Sequence, residues 1–110
     1  MELTKTTFNG HKVDVIFNGP IYLFYNSYAG FIAAAYRSHE DKNGEHFLIK
    51  IGNRHTVGGS LTDSVVLSYV QRFIRKAEQR YIPKNVDFIV DYSADLADAY
   101  LDLSDGFKIR

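Results

Sequence analysis

A glycine-rich loop that runs into a helical segment is the strongest chemical feature of the sequence. Residues 53–60 read Asn-Arg-His-Thr-Val-Gly-Gly-Ser, and a long amphipathic segment follows them. A glycine-rich turn at the amino end of a helix exposes backbone N–H groups at the positive end of the helix dipole, where phosphate or pyrophosphate binds. Arg54 would add charge, and Gly58 and Gly59 would let the backbone approach the ligand closely. The alternative is an ordinary loop before a capped helix; a P-loop is excluded because Gly-Lys-Ser/Thr is absent.

A set of aspartates near the carboxyl end is the second feature. Its members are Asp95, Asp98, Asp102 and Asp105. On a continuous helix their spacing would place them in one negative stripe, and a short helix, Ala94–Leu103, is predicted in this segment. Such a stripe is ordinarily the solvated face of an amphipathic helix. The functional alternative is a surface that docks on a basic, nucleic-acid-binding protein partner. The analogy is to small phage-encoded inhibitors, which bind their partners in this way.

Three potential metal ligands lie near the tip of a predicted hairpin. His39, Asp41 and His46 fall on its polar face, and imidazole and carboxylate are ligand types for zinc. Because hairpin-tip residues are ordinarily solvated, we predict no metal site. The spacing reveals no Ser-His-Asp arrangement, and the absence of cysteine excludes thiolate ligands, disulfides and a cysteine nucleophile.

The glycine-rich loop also carries a family resemblance. Arg54-x-x-x-Gly58-Gly59-Ser60, after a strand and opening a long helix, resembles the acetyl-CoA pyrophosphate loop of the GNAT N-acetyltransferases. The motif of that family is Arg/Gln-x-x-Gly-x-Gly/Ala, so Arg54 and Gly59 match and Val57 stands at the first glycine. Residues 89–97 and Gly106-Phe107-Lys108 are similar to the family's next strand, next helix and closing Gly-Phe. The resemblance covers roughly residues 30–110.

This resemblance implies a compact acetyl-CoA-binding protein that transfers an acetyl group to an amine of a small molecule or a protein. Acetyl-CoA would lie between two splayed strands, with its pyrophosphate on the N–H groups of residues 55–60. The cofactor-binding residues implied are Arg54, Gly58, Gly59 and Ser60. The amine would attack the thioester carbonyl while a base takes its proton.

No catalytic residue can be carried over from the family. Asp102 stands where the family usually has its general-acid tyrosine, and Tyr100 lies two residues earlier. Glu40, Glu45 and the histidines are candidates for the base by residue type alone. Whether the chain is an active enzyme, a degenerate member or a non-enzymatic interaction module therefore stays open.

The first half of the chain is predicted to form strands. Alternating apolar residues around Asn9-Gly10 predict a hairpin of Leu3–Phe8 and Lys12–Phe17. A strand over Ile21–Tyr25 follows. A second hairpin pairs Phe31–Arg37 with Phe47–Ile51; with Lys42 opposite Glu45, the residues expected on its core face are Tyr36, Phe47, Ile49 and Ile51. The wetter face would then carry Arg37, His39, Asp41, His46 and Lys50.

The second half is predicted to contain two helices, one buried strand and an edge strand, Phe107–Ile109. Ser60 is expected to cap a helix that runs to about Tyr81, with Asp63 at its third position and Pro83 ending it. The apolar stripe would be Leu61, Val65, Tyr69, Phe73, Ala77 and Tyr81, widened by Val66, Val70 and Ile74. A strand over Val86–Tyr92 precedes the short helix. The expected fold is α+β, with a mainly antiparallel mixed sheet of about five to seven strands, one long helix and one short helix, and it is GNAT-like through the resemblance.

Composition and charge limit the number of domains and the classes of partner that we expect. A chain of 110 residues with 45% hydrophobic residues is expected to form a single domain, 1–110. Its net charge is zero but segregated: residues 46–84 hold seven Lys/Arg and two acids, and residues 85–105 hold six Asp and no base. The zero balance argues against a nucleic-acid partner. The sequence has no signal peptide and no apolar run near the ~18 residues of a membrane span, so we expect a cytoplasmic protein.

Overall fold

A computed structural model describes residues 2–19, 21–26, 30–42, 44–52, 61–79 and 85–90, with the backbone alone at 31, 37–40, 44, 45 and 85–90. These ranges form a six-stranded sheet and one helix. In chain order the elements are β1 (Glu2–Phe8), β2 (His11–Asn18), β3 (Ile21–Asn26), β4 (Gly30–Asp41), β5 (Gly44–Ile51), α1 (Asp63–Glu78) and β6 (Asn85–Val90). The predicted α+β class, with a mainly antiparallel mixed sheet and one long helix, is confirmed. The predicted short helix, Ala94–Leu103, and the predicted edge strand, Phe107–Ile109, lie outside the described residues.

The strands lie in the sheet in the order in which they occur in the chain. Neighbours from β1 to β5 are antiparallel, and β5 pairs with β6 in parallel. A parallel pair needs a crossover connection, which the segment containing α1 provides. Strand pairing in the described sheet therefore changes from antiparallel to parallel at one place, between β5 and β6.

The first hairpin forms as its turn residues predict. Phe8 pairs with His11, so Asn9 and Gly10 make a two-residue turn, with φ values of 51° and 85°. Both values lie in the left-handed region, which a type I′ turn requires and which asparagine and glycine tolerate best. A two-residue turn of this type specifies the register of β1 on β2.

The long helix covers one face of the sheet. Val66, Val70 and Ile74 are its buried residues, and Ala77, predicted to be part of the apolar stripe, is exposed. The stripe is therefore centred one position later than the four-residue repeat from Leu61 predicts. The buried sheet residues of this helix-side core include Phe8, Val13, Val15, Tyr22, Phe24, Ala33, Ala35, Phe47, Ile49 and Ile51. Among the described residues, no helix is both long and apolar enough to cross a membrane.

The opposite face of the sheet is buried as well. Ile16, Ile21, Leu23, Ala34 and Tyr36 form a second cluster, with Tyr25 and Leu48 partly buried against it. Leu23 and Ala34 have 0% exposure. Because successive side chains of a strand alternate between faces, β3 contributes to both clusters and is an interior strand buried on both sides. The sheet thus has two cores, one on each face.

A β-bulge in β4 corrects the predicted pairing of the second hairpin. Asp41 pairs with Gly44, so the prediction that Lys42 lies opposite Glu45 is wrong. The register shifts between Arg37 and His39. Because side chains alternate between faces with period two, one extra residue in β4 moves every residue before it to the opposite face of the sheet. Tyr36 therefore lies opposite Leu48 in the second core, away from the helix-side core expected for it, and Arg37 lies opposite Phe47.

Burial of Tyr36 predicts a loss of stability in alkali. Burial raises the pKa of its hydroxyl above the ordinary value of 10.0, because the phenolate would lose its hydration. Above pH 10 the unfolded chain releases this proton while the folded chain keeps it. The free energy of unfolding therefore falls as pH rises from the unfolded to the folded pKa. Urea denaturation between pH 8 and 11 should show this decline, and Tyr36→Phe should make it shallower; an equal slope in both proteins would contradict the prediction.

Candidate functional site

The crossover from β5 through α1 to β6 is where the predicted phosphate loop belongs. β5 ends at Ile51, and the N–H of Gly52 donates to the carbonyl of Ile32 at 2.7 Å, which holds the chain against β4 for one more residue. The chain is next described at Leu61, which is 2% exposed in the helix-side core. The connecting residues thus leave the carboxyl end of a parallel strand and enter a helix, a location that favours anionic ligands in sheets of this kind. Arg54, Gly58, Gly59 and Ser60 themselves lie outside the described residues.

The amino end of α1 differs from its prediction. Thr62 is the cap: its Oγ1 accepts from the N–H of Val65 at 3.4 Å, and its carbonyl accepts from the N–H of Val66 at 3.0 Å. The prediction that Ser60 caps the helix with Asp63 at the third position is therefore wrong, since Asp63 is the first helical residue. The physical reason is Leu61, which is buried directly before the cap with Val66, four positions into the helix, in the same core. This is a hydrophobic staple, and it determines where the helix begins.

The occupied cap limits what α1 can offer to a ligand. The Thr62 hydroxyl already satisfies one terminal N–H group, and the Asp63 carboxylate lies in the first turn. A carboxylate there stabilises the positive end of the dipole and repels an approaching anion. A phosphate held at this place would therefore depend on the N–H groups of residues 55–60 and on Arg54.

The strands beside the crossover are paired without interruption. Six residues of β5, from His46 to Ile51, pair in parallel with Asn85 to Val90. The GNAT resemblance implies a ligand between two splayed strands, and no splay occurs along these six pairs. Such a cleft would have to begin beyond Ile51 and Val90.

The carboxyl end of α1 is held by a side-chain hydrogen bond. The Tyr22 hydroxyl donates to Glu78 Oε2 at 2.7 Å. Gln79 follows in the left-handed conformation, and its N–H donates to the carbonyl of Arg75. The helix therefore ends at Glu78, earlier than the predicted Tyr81 and before Pro83 is reached. Arg72, Arg75 and Lys76 are exposed, and the guanidinium of Arg72 lies 5.2 Å from the centre of the Tyr69 ring.

The tip of the hairpin between β4 and β5 brings together the residues considered for a metal. His39 pairs with His46 across the strands, and His46 Nε2 lies 3.0 Å from Asp41 Oδ2. The sequence indicates that these residues share a face, but the cross-strand pairing of the two histidines follows from the pairing of Asp41 with Gly44 at the turn, which differs from the predicted one.

Two of the candidate bases for acetyl transfer, Glu40 and Glu45, lie at that same tip. Glu40 and Glu45 are direct cross-strand partners. They are six residues from Ile51 along β5, which is about 20 Å at 3.3 Å per residue. They are thus at the opposite end of β5 from the crossover, so neither glutamate lies beside the loop.

The partner-binding alternative falls outside the described residues altogether, since it depends on Asp95, Asp98, Asp102 and Asp105.

Comparison of the chain with protein-family models, with curated proteins and with solved structures finds no significant match.

Proposed function

We propose that this chain binds acetyl-CoA through residues 53–60 and is a compact GNAT-like protein that transfers the acetyl group to an amine. The observation that carries the proposal is the change of the sheet from antiparallel to parallel at β5 and β6. The crossover brings the loop to the carboxyl edge of a parallel strand and next to the amino end of α1. The GNAT resemblance assigns the pyrophosphate to a loop in this position.

The residues of the loop suit a pyrophosphate chemically. Gly58 and Gly59 have no side chain to obstruct the ligand, so consecutive N–H groups can point at its oxygens. Arg54 supplies a fixed positive charge whose planar group can make two hydrogen bonds to a phosphate. The Thr62 hydroxyl and the Asp63 carboxylate stabilise the amino end of α1. In this proposal the affinity for the pyrophosphate therefore depends mainly on the loop and on Arg54.

Acetyl transfer would follow the binding of acetyl-CoA. The amine attacks the thioester carbonyl, a base takes the amine proton, and CoA leaves as the thiolate. Backbone donors near the carbonyl would stabilise the negative oxygen that develops. The general acid and base are not assigned, because Asp102 occupies the family's tyrosine position and lies outside the described residues.

Calorimetric titration with acetyl-CoA and with CoA tests the cofactor site. We expect saturable binding to the unmodified protein and a loss of at least about tenfold in Gly59→Glu, because a carboxylate in the loop fills it and repels the pyrophosphate. Ala77→Glu is the matched control, since Ala77 is exposed near the carboxyl end of α1 and the substitution adds the same charge about 20 Å along the axis from the amino end of the helix. Its affinity should be unchanged apart from weak long-range repulsion.

The titration also separates the two proposed functions. No heat with either ligand at high concentration would refute the acetyl-CoA proposal. The chain's charge segregation would then favour the alternative, a non-enzymatic module whose acidic residues dock on a basic protein partner. In that case charge reversal at Asp98 and Asp102 should abolish partner binding.

A further inference from the structure

The outer edge of β1 is a row of backbone groups that can pair with another strand. β1 lies at one edge of the described sheet, with β2 as its only neighbour among the described strands. Because Phe8 and His11 flank a two-residue turn, they exchange hydrogen bonds, and bonded and non-bonded pairs then alternate along the hairpin. Leu3, Lys5 and Thr7 belong to the non-bonded pairs. Their N–H and C=O groups therefore point away from β2, along the outer edge.

This edge lacks the features by which proteins ordinarily prevent strand addition. The pairing of β1 with β2 continues along the whole strand without a bulge, and β1 contains no proline. A lysine commonly blocks such an edge, but Lys5 Nζ lies 2.9 Å from Asp14 Oδ1 of the neighbouring strand. Its charge is therefore partly neutralised and held over β2. A regular edge of this kind can accept an added β-strand.

Leu3 adds an apolar contact to the edge. Among the described side chains it is the exposed large hydrophobic one, at 59%, whereas Ile16, directly opposite on β2, is 6% exposed in the second core. On the other face of β1, Glu2 and Thr4 are exposed, so α1 does not cover this end of the strand. Both faces of the edge are accessible to a partner. Leu3 contributes little to the folded monomer and gains its contact only on association.

The sequence of β1 suits pairing with a second copy of itself. A twofold axis perpendicular to the sheet makes the added strand antiparallel and keeps every residue on its own face. An axis through Lys5 would place two like charges directly opposite, which destabilises a strand pair. An axis through Thr4 places Thr4 opposite itself and Glu2 opposite Thr6, and threonine pairs of this kind are favourable. It also places Leu3 against the aliphatic part of Lys5.

We propose that two copies of this chain associate through β1 and join their sheets into one continuous antiparallel sheet, with Thr4 on the twofold axis. Leu3 of each protomer exchanges backbone hydrogen bonds with Lys5 of the other, because both residues have outward-pointing groups. The association lies at the opposite edge of the described sheet from β6. It does not depend on the acetyl-CoA loop.

Sedimentation velocity over a range of protein concentrations tests for this dimer. We expect a monomer–dimer equilibrium, and Lys5→Pro should weaken it at least about tenfold, because proline has no N–H to donate across the edge. The Lys5 N–H points away from β2, so this substitution removes no hydrogen bond of the hairpin. Lys5→Ala is the matched control. It removes the same charge and the contact with Asp14 but keeps the N–H, so it should still dimerise.

A disulfide cross-link tests the register, and it keeps the proposal testable should circular dichroism show that Lys5→Pro does not fold. The chain has no cysteine, so Thr4→Cys introduces a single thiol. Residues directly opposite in a non-bonded pair have Cβ atoms about 4.5 Å apart, within reach of a disulfide. Oxidised glutathione should therefore give a covalent dimer. Thr7→Cys is the control, since Thr7 is exposed on the same strand but lies about 20 Å from its own copy in this register.

Three outcomes would overturn the proposed dimer. The first is an unmodified protein that stays monomeric up to its highest soluble concentration. The second is a folded Lys5→Pro variant that dimerises as tightly as Lys5→Ala. The third is a Thr4→Cys variant that cross-links no more than Thr7→Cys at the same concentration.

Discussion

Leu23→Ala is expected to lower the free energy of unfolding by about 2–5 kcal/mol, the range measured for buried leucines. Leu23 is 0% exposed and belongs to the second core with Ile16, Ile21, Ala34 and Tyr36. The substitution removes three buried carbons and leaves a cavity between side chains whose backbone is fixed by the sheet. Urea denaturation should therefore show a lower midpoint with an unchanged slope.

Leu3→Ala is the matched control for this experiment. Leu3 lies on the edge strand β1 and is 59% exposed, so the same chemical change should alter stability by less than about 0.5 kcal/mol. The contrast tests whether the face away from α1 is a core. If the two variants lost equal stability, the face containing Leu23 would not be buried in solution.

Phe24→Ala should be the most damaging single truncation, with an expected loss of about 3–5 kcal/mol. Its ring centre lies 5.7 Å from that of Phe8 and 5.5 Å from that of Phe73, the latter in an edge-on arrangement at 88°. Phe8 also stacks on Tyr69 at 5.1 Å. Phe24 therefore links β3 to β1, two strands away in the sheet, and to α1, and its removal loses ring contacts in addition to buried area.

Phe17→Ala is the control for Phe24→Ala, because it makes the same chemical change at a different position. Phe17 is partly buried at the margin of the same core, with its ring 4.5 Å from that of Tyr22. Water can reach the space left by its removal, so we expect a clearly smaller loss than for Phe24→Ala. Urea midpoints of both variants provide the measurement. A larger loss for Phe17→Ala would mean that the aromatic cluster is not centred on Phe24.

The proposed acetyl-CoA loop and the pairing at the tip of the second hairpin differ in how far the sequence could define them. The loop is visible as a motif, because its glycines and its arginine are neighbours in the chain. The pairing of His39 with His46 is not visible in this way, because it depends on which residues of β4 and β5 face each other at the turn.

Local patterns were sufficient for most of the strands and for the long helix. Asn9 and Gly10 determine a tight turn through their own backbone preferences, and alternating or four-residue apolar repeats identify β1, β2, β3 and α1. These features depend on neighbours in the chain. That is why the first hairpin and the α+β class were predicted correctly.

Tertiary structure decided which face each residue occupies and where the helix begins and ends. The bulge before His39 moves Tyr36 to the second core, and the burial of Leu61 places the cap at Thr62. The Tyr22–Glu78 hydrogen bond lies at the other end of the helix. Each of these depends on a partner distant in the chain, and with period-two alternation a single extra residue reverses a whole strand. Local preference therefore determined the elements, and packing between distant residues determined their register and their ends.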